Sequence, residues 1–181
     1  MGAVEERHLR ALRAIHEALS GREVRWALTG SMSFALQGAP VKPDDIDIQT
    51  DREGAYEIQR ALQEHVTKRV AFSSSPACGI RSHFGELRIG SVRVEVMGDV
   101  QKRLPDGSWE APVALERHTR RVEVEGMSVP VLALEYEATA YRKLGRLDTA
   151  RMLEEMLGRE NRERGEEQDA TPHPGEGGGD E

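Results

Sequence analysis

Residues 28–37 read LTGSMSFALQ and residues 45–49 read DIDIQ, and these two segments decide the fold. The apolar residues before Gly30 predict a short strand. The residues after Gly30 predict a helix that starts with a serine cap and ends at Gly38. Strict alternation over 45–49 predicts a second strand, with isoleucines on one face and carboxylates on the other. The sequence therefore predicts a strand–helix–strand unit whose last connection is a proline-containing loop.

The sequence on both sides of this unit alternates between helical and extended patterns. Apolar residues at helical spacing between Leu9 and Leu19 predict an amphipathic first helix. The later segments are predicted as a helix (Ala55–Glu64), three strands (Thr67–Phe72, Phe84–Ile89 and Ser91–Met97), a hairpin (Val122–Val124 and Val129–Leu132) and two helices (Leu134–Leu144 and Leu147–Leu157). This order predicts an α/β (α+β) domain over residues 1–158, with a mixed β-sheet flanked by helices and two C-terminal helices.

The composition excludes several classes of protein. The 181 residues include 25 Lys and Arg, 32 Asp and Glu and a single cysteine, Cys78, which excludes an internal disulfide. The acidic start lacks the basic and apolar blocks of a signal peptide, so we predict a cytoplasmic protein. The longest segment without charge, Trp26–Val41, is interrupted by polar residues, which excludes a membrane span there. The acidic balance disfavours a protein built to bind duplex nucleic acid, because phosphate contacts depend on Lys and Arg.

Much of the net charge of −7 lies in the C-terminal tail, residues 159–181. The tail carries −5 and residues 1–158 carry −2. It contains no large apolar residue and ends in Gly-Gly-Gly-Asp-Glu, so it cannot bury enough surface to offset the entropy of ordering it. We predict a disordered acidic tail, which is either solvated or serves as an interaction segment.

Gly30 and Ser31 lie where the predicted strand meets the predicted helix. The free N–H groups and the dipole of a helix start favour a phosphate. Glycine permits close approach of the backbone, and the serine hydroxyl can donate to a phosphate oxygen. The alternative is an ordinary helix cap after a turn. Ser31 is not predicted as a hydrolase nucleophile, because the second glycine of a nucleophile elbow is missing.

Asp45 and Asp47 lie on the same face of one predicted strand. Two ionised carboxylates side by side repel each other unless a cation or a proton relieves them. Carboxylate oxygens suit Mg²⁺, which keeps water and substrate phosphates as its other ligands. A solvated strand end is the alternative, although Asp is disfavoured within strands. Glu95, in a later alternating strand, is either a third carboxylate that completes a two-metal site or an exposed strand residue.

Together these motifs resemble the nucleotidyltransferase superfamily related to DNA polymerase β. That pattern comprises a Gly-Ser pair at a helix start, a loop, two aspartates that alternate with hydrophobic residues, and a later acidic strand residue. The resemblance extends over most of residues 5–158 and is closest to small stand-alone bacterial and archaeal nucleotidyltransferase-like proteins. A thermophile group among them shares TGSxSFALQG at 29–38 and DIDIQTD at 45–51. Aminoglycoside and lincosamide nucleotidyltransferases are more distantly similar.

The resemblance implies a role for each matching residue. Gly30 and Ser31 correspond to the pair that contacts the nucleotide triphosphate. Asp45 and Asp47 correspond to two metal-binding acids. Glu95 corresponds to the third acid, which helps to hold the catalytic metal or deprotonates the acceptor hydroxyl.

The resemblance also implies a basic residue on the C-terminal helix that reaches the nucleotide phosphates. Lys143 and Arg146 are the candidates. This match is loose, because related small transferases often carry Lys-Asp on that helix, where this chain reads Lys-Leu-Gly-Arg. Cations near the end of a helix also have an explanation in the helix dipole.

The leading hypothesis is an enzyme that uses one or two Mg²⁺ ions to move a nucleoside monophosphate from an NTP to an unknown acceptor hydroxyl. The first alternative is a non-catalytic nucleotide- or partner-binding module, because the predicted core leaves room for only two more helices. The second alternative is a toxin–antitoxin component that acts with a partner chain. A homodimer with its acceptor site between two subunits is compatible with a domain of this size.

Overall fold

A seven-stranded mixed sheet lies at the centre of the computed structural model, which describes residues 4–169. The strands are β1 (Trp26–Thr29), β2 (Ile46–Thr50), β3 (Val66–Ser75), β4 (Ile80–Ile89), β5 (Val92–Lys102), β6 (Thr119–Val124) and β7 (Met127–Leu132). Their order across the sheet is β3-β4-β5-β2-β1-β7-β6. The pairs β1–β7 and β2–β5 are parallel, and the other neighbours are antiparallel. The predicted mixed sheet is therefore confirmed.

Helices pack around this sheet and bury two main apolar clusters. The helices are α1 (Glu6–Leu19), α2 (Gly30–Leu36), α3 (Arg52–Ala61), α4 (Leu134–Lys143) and α5 (Leu147–Asp169), with short 3₁₀ turns at Gln63–His65 and Leu115–Arg117. In the larger cluster, α1 and α3 cover the central strands, with Ile15 and Ile58 fully buried. The second cluster joins Phe34 of α2 to α4 and α5. Each fully buried aliphatic side chain stabilises the fold by about 1.5–3 kcal/mol. Across residues 4–169, no helix is both long enough and apolar enough to cross a membrane.

The alternation predicted for β2 is present in the fold. Ile46 and Ile48 are fully buried in the larger cluster, whereas Asp47 and Gln49 are only partly buried and line a cavity on the opposite face. The central position of β2 in the sheet explains this division, since one face packs on helices and the other opens to the cavity.

A β-bulge interrupts β5 near Asp99. The pairing with β4 shifts there, so that one residue of β4 faces two of β5. Asp99 has φ +52°, a left-handed conformation that Asp tolerates better than most residues. Its carboxylate accepts a hydrogen bond from the backbone N–H of Arg52 at 3.1 Å. Because the bulge reverses the alternation of the strand, Glu95 before it and Lys102 after it line the same cavity.

The structure differs from the sequence prediction at the start of the acidic tail. Residues 159–169, predicted to be disordered, continue helix α5 as far as Asp169. Arg and Glu are good helix formers, and Arg164 lies 3.9 Å from Glu160 one turn earlier. The side chains of residues 161–165 are exposed, so the helix continues here without burying apolar surface. Residues 170–181 lie outside the described part of the chain.

Candidate active site

Three carboxylates converge where β2 runs beside β5. Asp45 comes directly before β2, Asp47 lies within it, and the parallel register places Asp47 opposite Glu95 of β5. A strand presents every second side chain on one face, so the alternation of each strand and this register together gather the acids. The three acids that the sequence singled out are therefore neighbours in the fold.

Arg93 is the cation closest to this acid cluster. Its Nη2 lies 2.7 Å from Asp45 Oδ2 and 3.4 Å from Glu95 Oε1. Burial, followed by the negative charges of Asp45 and Glu95, raises the pKa of Asp47 to about 8, although the charge of Arg93 acts in the opposite direction. Asp47 therefore retains a proton near neutral pH unless a further cation approaches.

The donor set of the acid cluster suits a hard divalent cation, although the side chains are not arranged as a finished metal site. Within residues 4–169, no three His, Cys, Asp or Glu side chains are gathered as a metal site. One reason is that Arg93 draws the Asp45 carboxylate toward itself. The Arg93 side chain is 47% exposed and can therefore turn into solvent when another cation enters. Carboxylate oxygens are ligands that Mg²⁺ prefers. A bound cation would also relieve the repulsion from Asp45 and Glu95 that helps to raise the pKa of Asp47.

A tight turn at Gly30 brings the start of α2 against the acid cluster. Gly30 has φ +69°, and a Cβ atom at this position would overlap Asp47 Oδ2. Glycine is thus required both by the backbone conformation and by the close approach to the carboxylate. Helix α2 begins at Gly30 and has no side-chain cap, which corrects the predicted serine cap. Ser31 lies in the first turn and is partly exposed.

Glu137 of α4 lies behind this turn and is almost fully buried. The Thr29 hydroxyl donates to Glu137 Oε1 at 2.5 Å. Burial raises the pKa of Glu137 to about 7, whereas the Thr29 hydroxyl, the Gly30 backbone and the positive charge of Lys102 act in the opposite direction. Glu137 thus connects α4 to the junction between β1 and α2.

A cavity of about 420 Å³ opens beside these groups, and we call it the acid cavity. The polar and aromatic residues that line it are Thr29, Gly30, Asp47, Gln49, Lys68, Ser73, Ser75, Cys78, Ser82, Phe84, Glu95, Lys102, Glu137, Tyr141 and Arg146. Asp45 is absent from the lining formed by the described residues, because it lies at the edge with Arg93. Gln49 contributes a buried side-chain oxygen that has no partner in residues 4–169. The cavity is therefore polar at the acid cluster and lined by both polar and apolar side chains elsewhere.

The structure separates the two basic residues predicted to reach nucleotide phosphates. Arg146 lines the acid cavity, with its guanidinium carbon 5.7 Å from the centre of the Tyr141 ring. Lys143 does not line this cavity. It donates to Glu110 Oε1 at 2.7 Å and lines a second, neighbouring cavity. Burial raises the pKa of Tyr141 to about 12, so Tyr141 contributes a neutral hydroxyl.

Two buried charged residues of the acid cavity, Glu137 and Lys102, were missed by the sequence argument. Glu137 carries a weak signal, because it lies at helical spacing between Leu134 and Tyr141, on the side of α4 that packs inward. Lys102 carries no such signal, since simple alternation along β5 from Glu95 would place it on the opposite face. The bulge that reverses this alternation depends on a backbone conformation and is not marked by a distinctive motif.

Comparisons with families and solved structures identify relatives of the chain. A family model described as aminoglycoside-2''-adenylyltransferase matches residues 11–167. TM1012 of Thermotoga maritima, designated a nucleotidyltransferase, is 54% identical, with a TM-score of 0.76 over 87% of this chain and 96% of that chain. No curated protein matches the chain. The resemblance to small nucleotidyltransferase-like proteins is confirmed.

Two further solved structures have the same fold at low sequence identity. ANT(2'')-Ia, solved in complex with adenylyl-2''-tobramycin, is 15% identical, with a TM-score of 0.56 over 85% of this chain and 91% of that chain. The lincosamide antibiotic adenylyltransferase LnuA, solved with lincomycin, is 12% identical, with a TM-score of 0.52 over 83% of this chain and 98% of that chain. At these identities the likeness shows the fold alone.

Proposed function

The chain belongs to the aminoglycoside-2''-adenylyltransferase family, and on this premise we propose that it is a Mg²⁺-dependent nucleotidyltransferase. The family and its neighbours support the transfer of a nucleoside monophosphate in general terms. The proposed reaction moves the monophosphate of an NTP to an acceptor hydroxyl. The observation that carries the proposal is the register that pairs Asp47 with Glu95 directly beside the Gly30 turn.

The acid cluster would hold the metal through Asp45, Asp47 and Glu95. Bound Mg²⁺ supplies positive charge that polarises the α-phosphate and stabilises the leaving pyrophosphate. For this role Asp47 must lose the proton that its raised pKa favours, and Arg93 must release Asp45. Ionisation of Asp47 and metal binding are therefore coupled.

The chain's own residues would position the two substrates. The start of α2, with Gly30 and Ser31, lies beside the acids and offers backbone N–H groups and a hydroxyl to the phosphate chain. Arg146 lines the same cavity and would add positive charge. Positioning and electrostatic stabilisation account for most of the catalysis of phosphoryl-type transfers.

The transfer step uses Glu95 as the proton acceptor. The acceptor hydroxyl oxygen attacks the α-phosphorus and forms a new P–O bond while the bond to pyrophosphate breaks. The hydroxyl proton passes to the Glu95 carboxylate, and pyrophosphate leaves. Glu95 suits this role because its side chain is 22% exposed, lines the acid cavity and faces Asp47.

The test is a calorimetric titration of Mg²⁺-ATP and Mg²⁺-GTP into the wild type and into Asp45→Asn/Asp47→Asn. We expect micromolar to millimolar binding by the wild type and a loss of about a hundredfold or more in the double variant, because two of the three proposed carboxylate–metal contacts are removed. Asp44→Asn, which changes the adjacent exposed aspartate, is the matched control and should bind as the wild type does. Equal binding by the double variant contradicts the assignment of the site.

Catalysis itself needs a second experiment. The protein is incubated with each Mg²⁺-NTP and a panel of hydroxyl-bearing small molecules and proteins, and products are detected by mass spectrometry. A product that has gained one nucleoside monophosphate, with release of pyrophosphate, supports turnover. Nucleotide binding without any product would instead favour the non-catalytic binding module.

A further inference from the structure

Lys102 is a buried cation between the acid cavity and a second cavity. The residue is 7% exposed and lines both the acid cavity and the second cavity, which measures about 740 Å³. The other cations of the acid cavity, Lys68 and Arg146, are exposed. A buried charge interacts more strongly with a nearby anion than an exposed one, because water screens it less.

The protein neutralises this ammonium group only in part. Within residues 4–169, its one hydrogen bond is to the Tyr136 hydroxyl at 2.9 Å. Burial raises the pKa of Tyr136, so this partner is a neutral hydroxyl. The nearest carboxylate oxygen, Glu110 Oε2, is 3.9 Å away, and the other oxygen of Glu110 already accepts from Lys143.

The other charges near Lys102 do not neutralise its ammonium group fully. Glu137 is attractive, but its carboxylate is engaged by the Thr29 hydroxyl, and its own pKa is raised to about 7. Lys143 is repulsive. Burial lowers the pKa of Lys102, which is the expected response of an ammonium that lacks a close carboxylate partner. A buried cation of this kind is stabilised when an anion enters the adjoining space.

We propose that Lys102 binds the phosphate chain of a nucleotide in the acid cavity, a role for which the family resemblance made Lys143 and Arg146 the candidates. The inference rests on the proposed function, since it adds a phosphate ligand to the same site. Lys102 comes from β5, the strand that also carries Glu95, so one strand supplies a metal-side carboxylate and a phosphate-side ammonium. Lys143 is bound to Glu110 and lies outside the acid cavity.

The experiment compares Lys102→Met with Lys143→Met, two variants that each remove one lysine charge near Glu110. Calorimetry measures the binding of Mg²⁺-ATP and of Mg²⁺-tripolyphosphate, a probe without a nucleoside. We expect Lys102→Met to weaken both by about ten- to a hundredfold, the effect of one charge-assisted hydrogen bond, and Lys143→Met to weaken them less than about threefold.

Thermal unfolding without ligand separates binding from folding. Replacing a buried charge by an apolar side chain of similar volume is often neutral or stabilising, so Lys102→Met should unfold no earlier than the wild type by more than a few degrees. A purely structural lysine would show the reverse, with a lower melting temperature and unchanged affinity for tripolyphosphate. If Lys102→Met does not fold, Lys102→Gln, which can still bond to Tyr136, is measured in its place against the same expectation.

The possible results distinguish this inference from the proposed function. If Asp45→Asn/Asp47→Asn loses Mg²⁺-ATP while the Lys102 variant binds as the wild type does, the inference fails and the proposed function stands. If Lys143→Met loses as much affinity as Lys102→Met, the assignment to Lys102 is also overturned. If the wild type binds neither ATP nor tripolyphosphate, both proposals fail together.

Discussion

Asp47 and Glu137 are two buried or partly buried carboxyl groups that line the same cavity from opposite sides of the Gly30 turn. Burial raises the pKa of each, to about 8 for Asp47 and to about 7 for Glu137. Their neighbours differ in kind. Asp47 is surrounded by carboxylates that raise its pKa further, whereas Glu137 faces a hydroxyl, a backbone group and an ammonium that all lower it.

This difference separates Asp47, whose cluster needs a cationic ligand, from Glu137, whose hydrogen-bond partners the protein already supplies. The protein itself supplies donors to Glu137, so this carboxyl stabilises the junction of β1, α2 and α4. The only cation close to the acid cluster among the described residues is the half-exposed Arg93, so the charge there is left for an incoming cation. The two carboxyls should therefore respond in opposite ways to substitution.

The largest effect is expected for removal of Glu137. Glu137→Ala leaves the Thr29 hydroxyl without its acceptor and removes a negative charge near Lys102, so we expect a loss of about 3 kcal/mol in the free energy of unfolding. In thermal denaturation this corresponds to a decrease of roughly 6–12 °C in Tm. Leu153→Ala, a truncation in the second apolar cluster, serves as the comparison for a loss of similar size. An unchanged Tm would show that Glu137 does not stabilise the junction of β1, α2 and α4.

Removal of the Asp47 carboxylate should have the opposite profile. Asp47→Asn relieves the repulsion in the acid cluster, so stability should be equal to or greater than that of the wild type. Affinity for Mn²⁺, measured by electron paramagnetic resonance as a stand-in for Mg²⁺, should fall by about a hundredfold or beyond detection. A variant that is strongly destabilised but still binds Mn²⁺ would reverse the comparison.

The stability of the metal-free protein should decrease as pH rises, because the pKa of Asp47 is raised in the folded state. Between the ordinary value near 4 and the native value of about 8, folded Asp47 binds more protons than the unfolded chain does. Stability of the metal-free protein therefore decreases as pH rises through this window, by on the order of 1–2 kcal/mol after allowance for solvent screening. Tm measured from pH 5 to pH 8.5 should show the decline, and Asp47→Asn should flatten it. Glu137 contributes with the same sign up to its pKa of about 7.

The smallest effect is expected for Arg93. In the metal-free protein, its guanidinium occupies the position between Asp45 and Glu95 that a divalent cation would share. Arg93→Gln should therefore raise the affinity for Mn²⁺ by about two- to fivefold, a modest change because exposed ion pairs are weak. Arg88→Gln removes the exposed arginine that pairs with Arg93 across β4 and β5 but bonds to the Ser91 carbonyl, and it should leave the affinity unchanged. Weaker Mn²⁺ binding in Arg93→Gln would instead indicate that Arg93 supports the metal site.

The sequence predicts the acid cluster better than it predicts the cationic wall of the cavity. Alternation in DIDIQ places Asp45 and Asp47 on one face, and the later strand around Glu95 follows the same rule. These are local patterns, and local periodicity is visible without tertiary structure. The cations depend on the fold: Lys143 and Arg146 are three residues apart, yet the end of α4 directs one to Glu110 and the other to the cavity.

The C-terminal end of helix α5 shows a second reason why the sequence predicts some features less well than others. Composition correctly indicates that residues 159–165 have little apolar surface to bury, but disorder does not follow from that alone. The preceding turns of α5 are anchored by Leu153, Met152 and Met156 in the second cluster. A helix that is already nucleated extends easily through Arg- and Glu-rich sequence, because each further residue adds a backbone hydrogen bond.

The bulge at Asp99 has a consequence for residue counting along β5. Positions 95 and 102 are an odd number of residues apart, so a regular strand cannot turn both side chains toward one cavity. A single extra residue changes the parity and permits it. If the same residues of β5 paired with β4 without the bulge, Gln101 would face the cavity and Lys102 would turn to the opposite face of the sheet. The chemistry of one wall of the cavity therefore depends on how β5 pairs with β4 as much as on the side chains that β5 carries.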